Sequence, residues 1–265
     1  MTQAVWFRSL PLTGVFIASA LSPAIADDLA SQLSNPVANL VSVPLQYNYN
    51  SGFLNGTGEQ SYINFQPVIP ISIGDNWNLI SRTIIPVVSQ SDFTPGTTQT
   101  GFGNTVQSLF FSPKEPTSGG LIWGAGPVIQ IPTNTDGLGV DQWGLGLTGV
   151  ALRQRNGWTV GALANHIWSV SNNDTYGRSS VSFMQPFVSY STPGGTTYSA
   201  NVEASYDWKG DEWAVPVNFV VSQLVTIGDR PVQIGGGVRY WADAPQGGPE
   251  GWGARLVVTY LFPKK

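Results

Sequence analysis

The sequence predicts an all-β protein: an antiparallel transmembrane β-barrel of about 12 strands with a short N-terminal helical segment. Three observations carry this. From Val41 onward, apolar and polar residues alternate with a period of two, as a strand with two different faces requires. Charged residues make up only 11%, well under the ~25% of a typical soluble domain, yet mean hydropathy is zero. Asn, Gln, Ser, Thr and Gly take the place of charge. Finally, tryptophans cluster near strand ends, where a bilayer interface would hold them.

The elements follow in order. Residues 1–26 read as a signal peptide. Arg8 is the only charge before Asp27, an apolar stretch runs from Leu10 to Leu21, and Ala24-Ile25-Ala26 fits a small-x-small cleavage site. Residues 27–40 form the one helical stretch: Asp27 or Asp28 can cap it, Leu29 and Leu33 share a face, and Pro36 limits it. It is expected to stand before the barrel rather than plug it. Residues 41–265 form the barrel.

Strand 1 places Val41, Val43, Leu45, Tyr47 and Tyr49 opposite Ser42, Pro44, Gln46, Asn48 and Asn50. Further strands are expected near 61–73, 77–88, 104–112, 121–132, 143–154, 157–170 and 180–191. The segments around Tyr198–Trp208, Trp213–Val221, Val232–Tyr240 and Trp252–Phe262 complete twelve, an even number as in bacterial single-chain barrels. Short turn-rich links ("GDN", "RNG", "TPGGT", "GDR") nearly alternate with longer ones. "PKEPTSGG" is long and "KGDE" short for this scheme. Prolines in strands argue the other way, and bulges are expected at the central Pro127 and Pro186.

Several functions are excluded or disfavoured. The chain has no cysteine, 12 basic residues against 16 acidic ones and no basic run, which removes thiol chemistry and argues against nucleic acid. No later segment offers 18 consecutive apolar residues. "GLGLTG" (Gly144–Gly149) matches a dinucleotide fingerprint but lies inside an alternating strand, where small residues relieve crowding. His166 is the single histidine, so a metal site is disfavoured and no cofactor is expected. A barrel lipid hydrolase would have to use His166. Trp168 stands two residues on, where a serine partner on the same face would be, so no enzyme is expected.

Alternation turns Arg82, Glu203, Asp207, Arg239 and Arg255 inward, since an arginine in the lipid-facing band costs about 2–4 kcal/mol near the midplane. These are the lumen candidates. Trp77, Trp123, Trp143, Trp158, Trp168, Trp208, Trp213, Trp241, Trp252, Tyr260 and Phe262 are the expected membrane-interface aromatics.

The segments "SNPVANLVSVPLQYNYN", "QPVIPISIGDNWNLISRTIIPVV", "WGAGPVIQIPT" and "GGGVRYWADAPQGGPEGWGARLVVTYLFPK" resemble bacterial outer-membrane proteins labelled "transporter". Some carry the misapplied label neuromedin U. They are similar to the group named for the MetA pathway of phenol degradation. The resemblance implies an outer-membrane channel or transporter for small solutes, including hydrophobic or aromatic compounds, and supplies no catalytic motif. The expected mechanism is passive diffusion through a polar lumen gated by external loops, with a barrel lipid hydrolase using His166, or a sealed structural or surface-binding barrel, as the alternatives. Expected partners are outer-membrane lipid, a small-molecule solute and the barrel-assembly machinery, which reads a terminal aromatic strand. Phe262 departs from that signal by preceding Pro-Lys-Lys.

Overall fold

The computed structural model describes residues 18–19, 23–171 and 177–263. Most of the expected leader therefore lies outside the described residues.

Twelve strands close an antiparallel barrel. In chain order they are β1 (Val41–Gly52), β2 (Gly58–Phe65 continuing as Val68–Ile73), β3 (Trp77–Ser91) and β4 (Thr98–Phe102 continuing as Thr105–Pro113). Next come β5 (Leu121–Ile131), β6 (Gly144–Arg155), β7 (Trp158–Ser169), β8 (Ser180–Ser191) and β9 (Thr196–Val202 continuing as Ala204–Asp207). The last three are β10 (Glu212–Ile227), β11 (Arg230–Asp243) and β12 (Gly251–Phe262). Each pairs with the next, and β12 pairs with β1 from Ala254↔Tyr49 to Phe262↔Val41. Closure leaves no free edge in the ring. With an even strand count, both ends of the barrel chain emerge at the same rim, called here the terminal end; the other is the loop end.

The alternation sorts as chemistry requires. Ser42, Asn48 and Asn50 are buried toward the interior while Leu45 is exposed outside. Val217, Phe219 and Val221 of β10 are exposed, and Asn218, Val220 and Ser222 are buried. The turns at Gly74, Gly157, Gly195 and Gly228 sit at the terminal end, each glycine with positive φ, a conformation that L side chains resist.

The prolines behave differently from expectation. Pro186 faces Ala162 in an unbroken β7–β8 register from Trp158↔Tyr190 to Trp168↔Ser180. Pro127 faces Leu147 in an equally regular β5–β6 ladder. Neither forms a bulge; each simply forgoes one donor. The β10–β11 ladder instead shifts between Val215 and Pro216. β9 is interrupted at Glu203, where the flanking ladders skip Pro186 on β8 and Pro216 on β10. Register is the same on both sides of the break.

The glycines of "GLGLTG" serve strand contact. A Cβ on Gly144 would lie 2.5 Å from Ile167 Cγ2, and one on Gly146 would collide with the His166 carbonyl. Gly149 meets only ordinary contacts.

The N-terminal segment corrects the expectation that it stays outside. Helix α1 spans Pro23–Leu33, across the expected cleavage point, and an irregular run follows to β1. Val37 packs with buried Ile80, Phe110, Val150, Leu152 and Leu163, which belong to β3, β4, β6 and β7. Ala26, Leu29, Ala38 and Leu40 pack with Leu224 and Leu261 of β10 and β12. Contacts to opposite walls require the segment to lie across the lumen at the terminal end. Gln154 Nε2 also donates to the Ser31 carbonyl at 2.7 Å. The driving force is ordinary apolar burial, about 1.5–3 kcal/mol per large side chain. The leucines that suggested a helix face do share one, and that face meets the barrel interior.

Candidate functional site

The lumen holds the chemistry. Arg239 on β11 and Arg255 on β12 point inward and are 3% and 2% exposed. Each faces a glycine on the neighbouring strand, Arg239↔Gly253 and Gly237↔Arg255, which leaves room for the guanidinium stems. Glu203 reaches them from β9, past β10. Arg255 Nη1 and Nη2 donate to Glu203 Oε1 and Oε2 at 2.9 and 2.8 Å, a bidentate pair. Arg239 Nη1 donates to Oε2 at 3.3 Å. Asn48 Oδ1 accepts from Arg255 Nε at 2.7 Å and from Arg239 Nη1 at 3.2 Å. Arg239 also lies 4.9 Å from the centroid of Trp241 and 5.9 Å from that of Tyr62, within cation–π range.

Arg82 on β3 makes no ion pair with Glu203 but lines the same cavity. Its Nη2 donates to Gln66 Oε1 at 2.9 Å. It lines two cavities. One, of about 350 Å³, opens between β3 and the facing wall and includes Ile84, Val106, Ile167, Val181, Phe183 and Glu203. The other, of about 280 Å³, lies between the N-terminal segment (Gln32–Leu40) and the wall. Gln46, Gln66, Leu163 and Gln185 line both, so Arg82 sits at their junction.

Asp207 does not join the cluster. It ends β9 at the loop end, where its Oδ1 accepts the Lys209 backbone N–H at 2.8 Å and closes the 208–211 turn. The alternation puts it on the inner side, but its height in the barrel places it at the rim.

The predicted aromatics form two outward rings. Trp77, Trp123, Trp158, Tyr260 and Phe262 lie at the terminal end; Trp143, Trp168, Trp208, Trp213 and Trp252 lie at the loop end. Trp77 and Trp123 make an edge contact at 5.8 Å, and Trp252 stacks near Tyr240 at 4.9 Å. Trp241 is the exception and must be removed from this set. It shares the inner face with Arg239, and its Nε1 donates to buried Asn50 Oδ1 at 3.0 Å. Its position two residues after Arg239 was the available signal; closeness to a strand end misled.

His166 projects outward near the loop end. Its Nδ1 lies 2.7 Å from Ser182 Oγ and its Nε2 3.2 Å from Ser180 Oγ. Its ring packs 4.2 Å from Trp168, and Trp208 Nε1 donates to Ser182 Oγ at 2.8 Å. The serine that sequence inspection sought two residues along β7 is supplied by β8, directly opposite in register. The arrangement satisfies both ring nitrogens on an apolar face. Among the described residues no carboxylate hydrogen-bonds the ring.

No family model and no curated protein sequence matches the chain. Solved structures do. The COG4313 outer membrane channel from Pseudomonas putida F1 aligns with a TM-score of 0.64 at 16% identity, covering 84% of this chain and 96% of that one. Outer membrane phospholipase A from Escherichia coli aligns at 0.47 and 12% identity, covering 84% and 96%. At these identities the first likeness is one of fold, and the second is too loose to bear on function.

Proposed function

We propose that this chain is an outer-membrane channel that passes small solutes by diffusion. The observation that supports it best is the inversion of an ordinary globule. The outside exposes Leu147 (66%), Val160, Leu256 and Trp252 around the whole circumference, far beyond what a soluble monomer tolerates. The inside holds arginine, glutamate, amides and two cavities. Lipid is the solvent such an outer surface needs, and the two aromatic rings suit its interfaces. Entry from the cell interior would use the leader at residues 1–26, cleaved after Ala26. Insertion would use the barrel-assembly machinery, with β12 as its signal.

On this reading a solute meets the larger cavity first, then Arg82, then the smaller cavity beside the N-terminal segment. Control lies at that segment as well as at the external loops. Small hydrophobic or aromatic solutes, the class implied by the sequence resemblance, suit the apolar wall formed by Ile84, Val106, Ile167, Val181 and Phe183. Planar-bilayer recording with purified mature protein tests the reading: conductance steps and solute flux are expected. Absence of both under every gradient would leave a sealed structural barrel. Outer-membrane fractionation and heat-modifiable gel mobility test the location.

A second reading, a barrel lipid hydrolase, is favoured by the 2.7 Å contact between His166 and Ser182. Among the described residues no carboxylate or amide hydrogen-bonds the imidazole, whose two nitrogens face Ser182 and Ser180, and Ser182 already accepts from Trp208. We therefore place it second.

A further inference from the structure

We propose that the larger lumen cavity is a binding site for a small organic carboxylate with an apolar body, held at its charged end by Arg82. The inference rests on the channel reading and adds to it the chemical class of the solute.

Charge is the first argument. Among the described residues, the inner wall away from the rims carries Arg82, Arg239 and Arg255 against the single carboxylate of Glu203. Sequence counting set two carboxylates against three arginines, but Asp207 belongs to the rim turn. The described inner wall between the rims thus carries a net charge of +2. Glu203 is committed: both its oxygens accept from Arg255, and one also from Arg239. No described carboxylate lies within ion-pair distance of Arg82. Its bond to Gln66 is made to a neutral amide oxygen. A guanidinium carries five N–H donors in a planar fork suited to a carboxylate, so most of the fork remains for the space it lines.

The cavity supplies the second argument. Its volume of about 350 Å³ equals roughly a dozen waters at about 30 Å³ each, the scale of a small aromatic or short aliphatic acid. Opposite Arg82, β7 and β8 contribute Ile167, Val181 and Phe183, and β3 and β4 add Ile84 and Val106. Gln46 and Gln66 stand beside the guanidinium. Arg82 can recognise an anion and this stretch of apolar wall can seat an apolar body; the remaining wall is polar and includes Glu203, whose oxygens the two other arginines hold. An inorganic anion would leave the apolar wall unused, and an ammonium group would be repelled by the excess positive charge.

The test uses the full mature protein folded in detergent, with three probes that share a phenyl body and differ in charge: benzoate, benzyl alcohol and benzylammonium. Equilibrium dialysis should show benzoate bound at least tenfold more tightly than benzyl alcohol, and benzylammonium not bound. Arg82→Gln should weaken benzoate about tenfold or more and leave benzyl alcohol unchanged. Arg82→Lys should fall between, keeping the charge and losing the fork. Equal binding of benzoate and benzyl alcohol, or benzoate binding unaffected by R82Q, overturns the proposal. If R82Q lacks the gel mobility of folded barrel, R82K and the three-probe comparison on the parent protein decide. Benzoate binding without conductance or flux in bilayers would instead defeat the channel reading and leave the site standing.

Discussion

Replacing Glu203 by Gln tests the central claim about the interior, that one carboxylate holds two arginines in place. Gln keeps the size and shape of Glu, so packing is preserved and only the charge is lost. In the parent, Arg255 makes two bonds to this carboxylate at 2.9 and 2.8 Å and Arg239 one at 3.3 Å. The arginine side chains are 3% and 4% exposed and that of Glu203 17%, so solvent cannot take over. Breaking a buried pair from one side costs about 3–5 kcal/mol, because the remaining charge is left uncompensated. Here two cations lose one shared partner, so the upper part of that range is expected. For a chain of this size, about 2–4 °C of melting temperature accompanies each kcal/mol. E203Q should therefore melt about 8–20 °C below the parent, read from heat-modifiable mobility after stepped incubation in detergent. The exposed turn residue Glu115 provides the control, and E115Q should change stability by no more than about 0.5 kcal/mol. A double-mutant cycle with Arg255→Met should return a coupling of at least about 1.5 kcal/mol. If E203Q melts with E115Q, the cluster is not an interdependent charge network and the reasoning fails.

The remaining predictions probe other parts of the barrel. Val37→Asp buries a carboxylate among Ile80, Phe110, Val150, Leu152 and Leu163; losing the valine contacts costs about 1.5–3 kcal/mol and the unpaired charge several more. The segment should leave its seat, so bilayer conductance should rise while the barrel keeps its folded gel mobility; unchanged conductance would mean that the segment does not obstruct the lumen. Trp252→Phe should remove more of the fluorescence quenching by brominated lipid than Trp241→Phe does, and the reverse order would return Trp241 to the interface ring. Purified protein in phospholipid vesicles should release no fatty acid, and His166→Ala should change only stability, by about 1 kcal/mol for its lost hydrogen bonds. Ester cleavage abolished by both H166A and Ser182→Ala would restore the hydrolase reading. Gly146→Ala should prevent folding or cost several kcal/mol, since its Cβ would meet the His166 carbonyl, whereas Gly149→Ala should be nearly silent by the same gel assay.

These outcomes divide along a line that also explains what could be seen in the sequence. Side-chain direction in a strand is set by parity along one chain, so Arg82, Glu203, Arg239 and Arg255 could be turned inward, and Leu45 and Trp252 outward, before any partner strand was known. Closure itself followed from an even count of alternating segments with short and long links. Parity gives no height, however, and Asp207 has the parity of Glu203 while lying at the rim. Trp241 follows its parity, sharing the inner face with Arg239, although it lies near a strand end. Cross-strand neighbours are less accessible still, because register depends on every turn between two strands. Ser182 stands opposite His166 only because the β7–β8 pairing runs unbroken from Trp158↔Tyr190 to Trp168↔Ser180, and Gly237 stands opposite Arg255 only through the β11–β12 register. The N-terminal segment was illegible for a different reason. Leu29 and Leu33 announce an apolar helix face, but a helix at the barrel mouth can satisfy that face against the interior or against another surface. What decides is whether the walls offer apolar residues at the right height. Leu224, Leu261, Phe110 and Leu152 do so at the terminal end, each on the inner side of a different strand. These four, with Ile80, Val150 and Leu163 beside them, form apolar patches that would be costly to leave in a water-filled lumen. The barrel interior is therefore incomplete without the segment that covers them, and mutations at those wall positions should open the channel as Val37→Asp does.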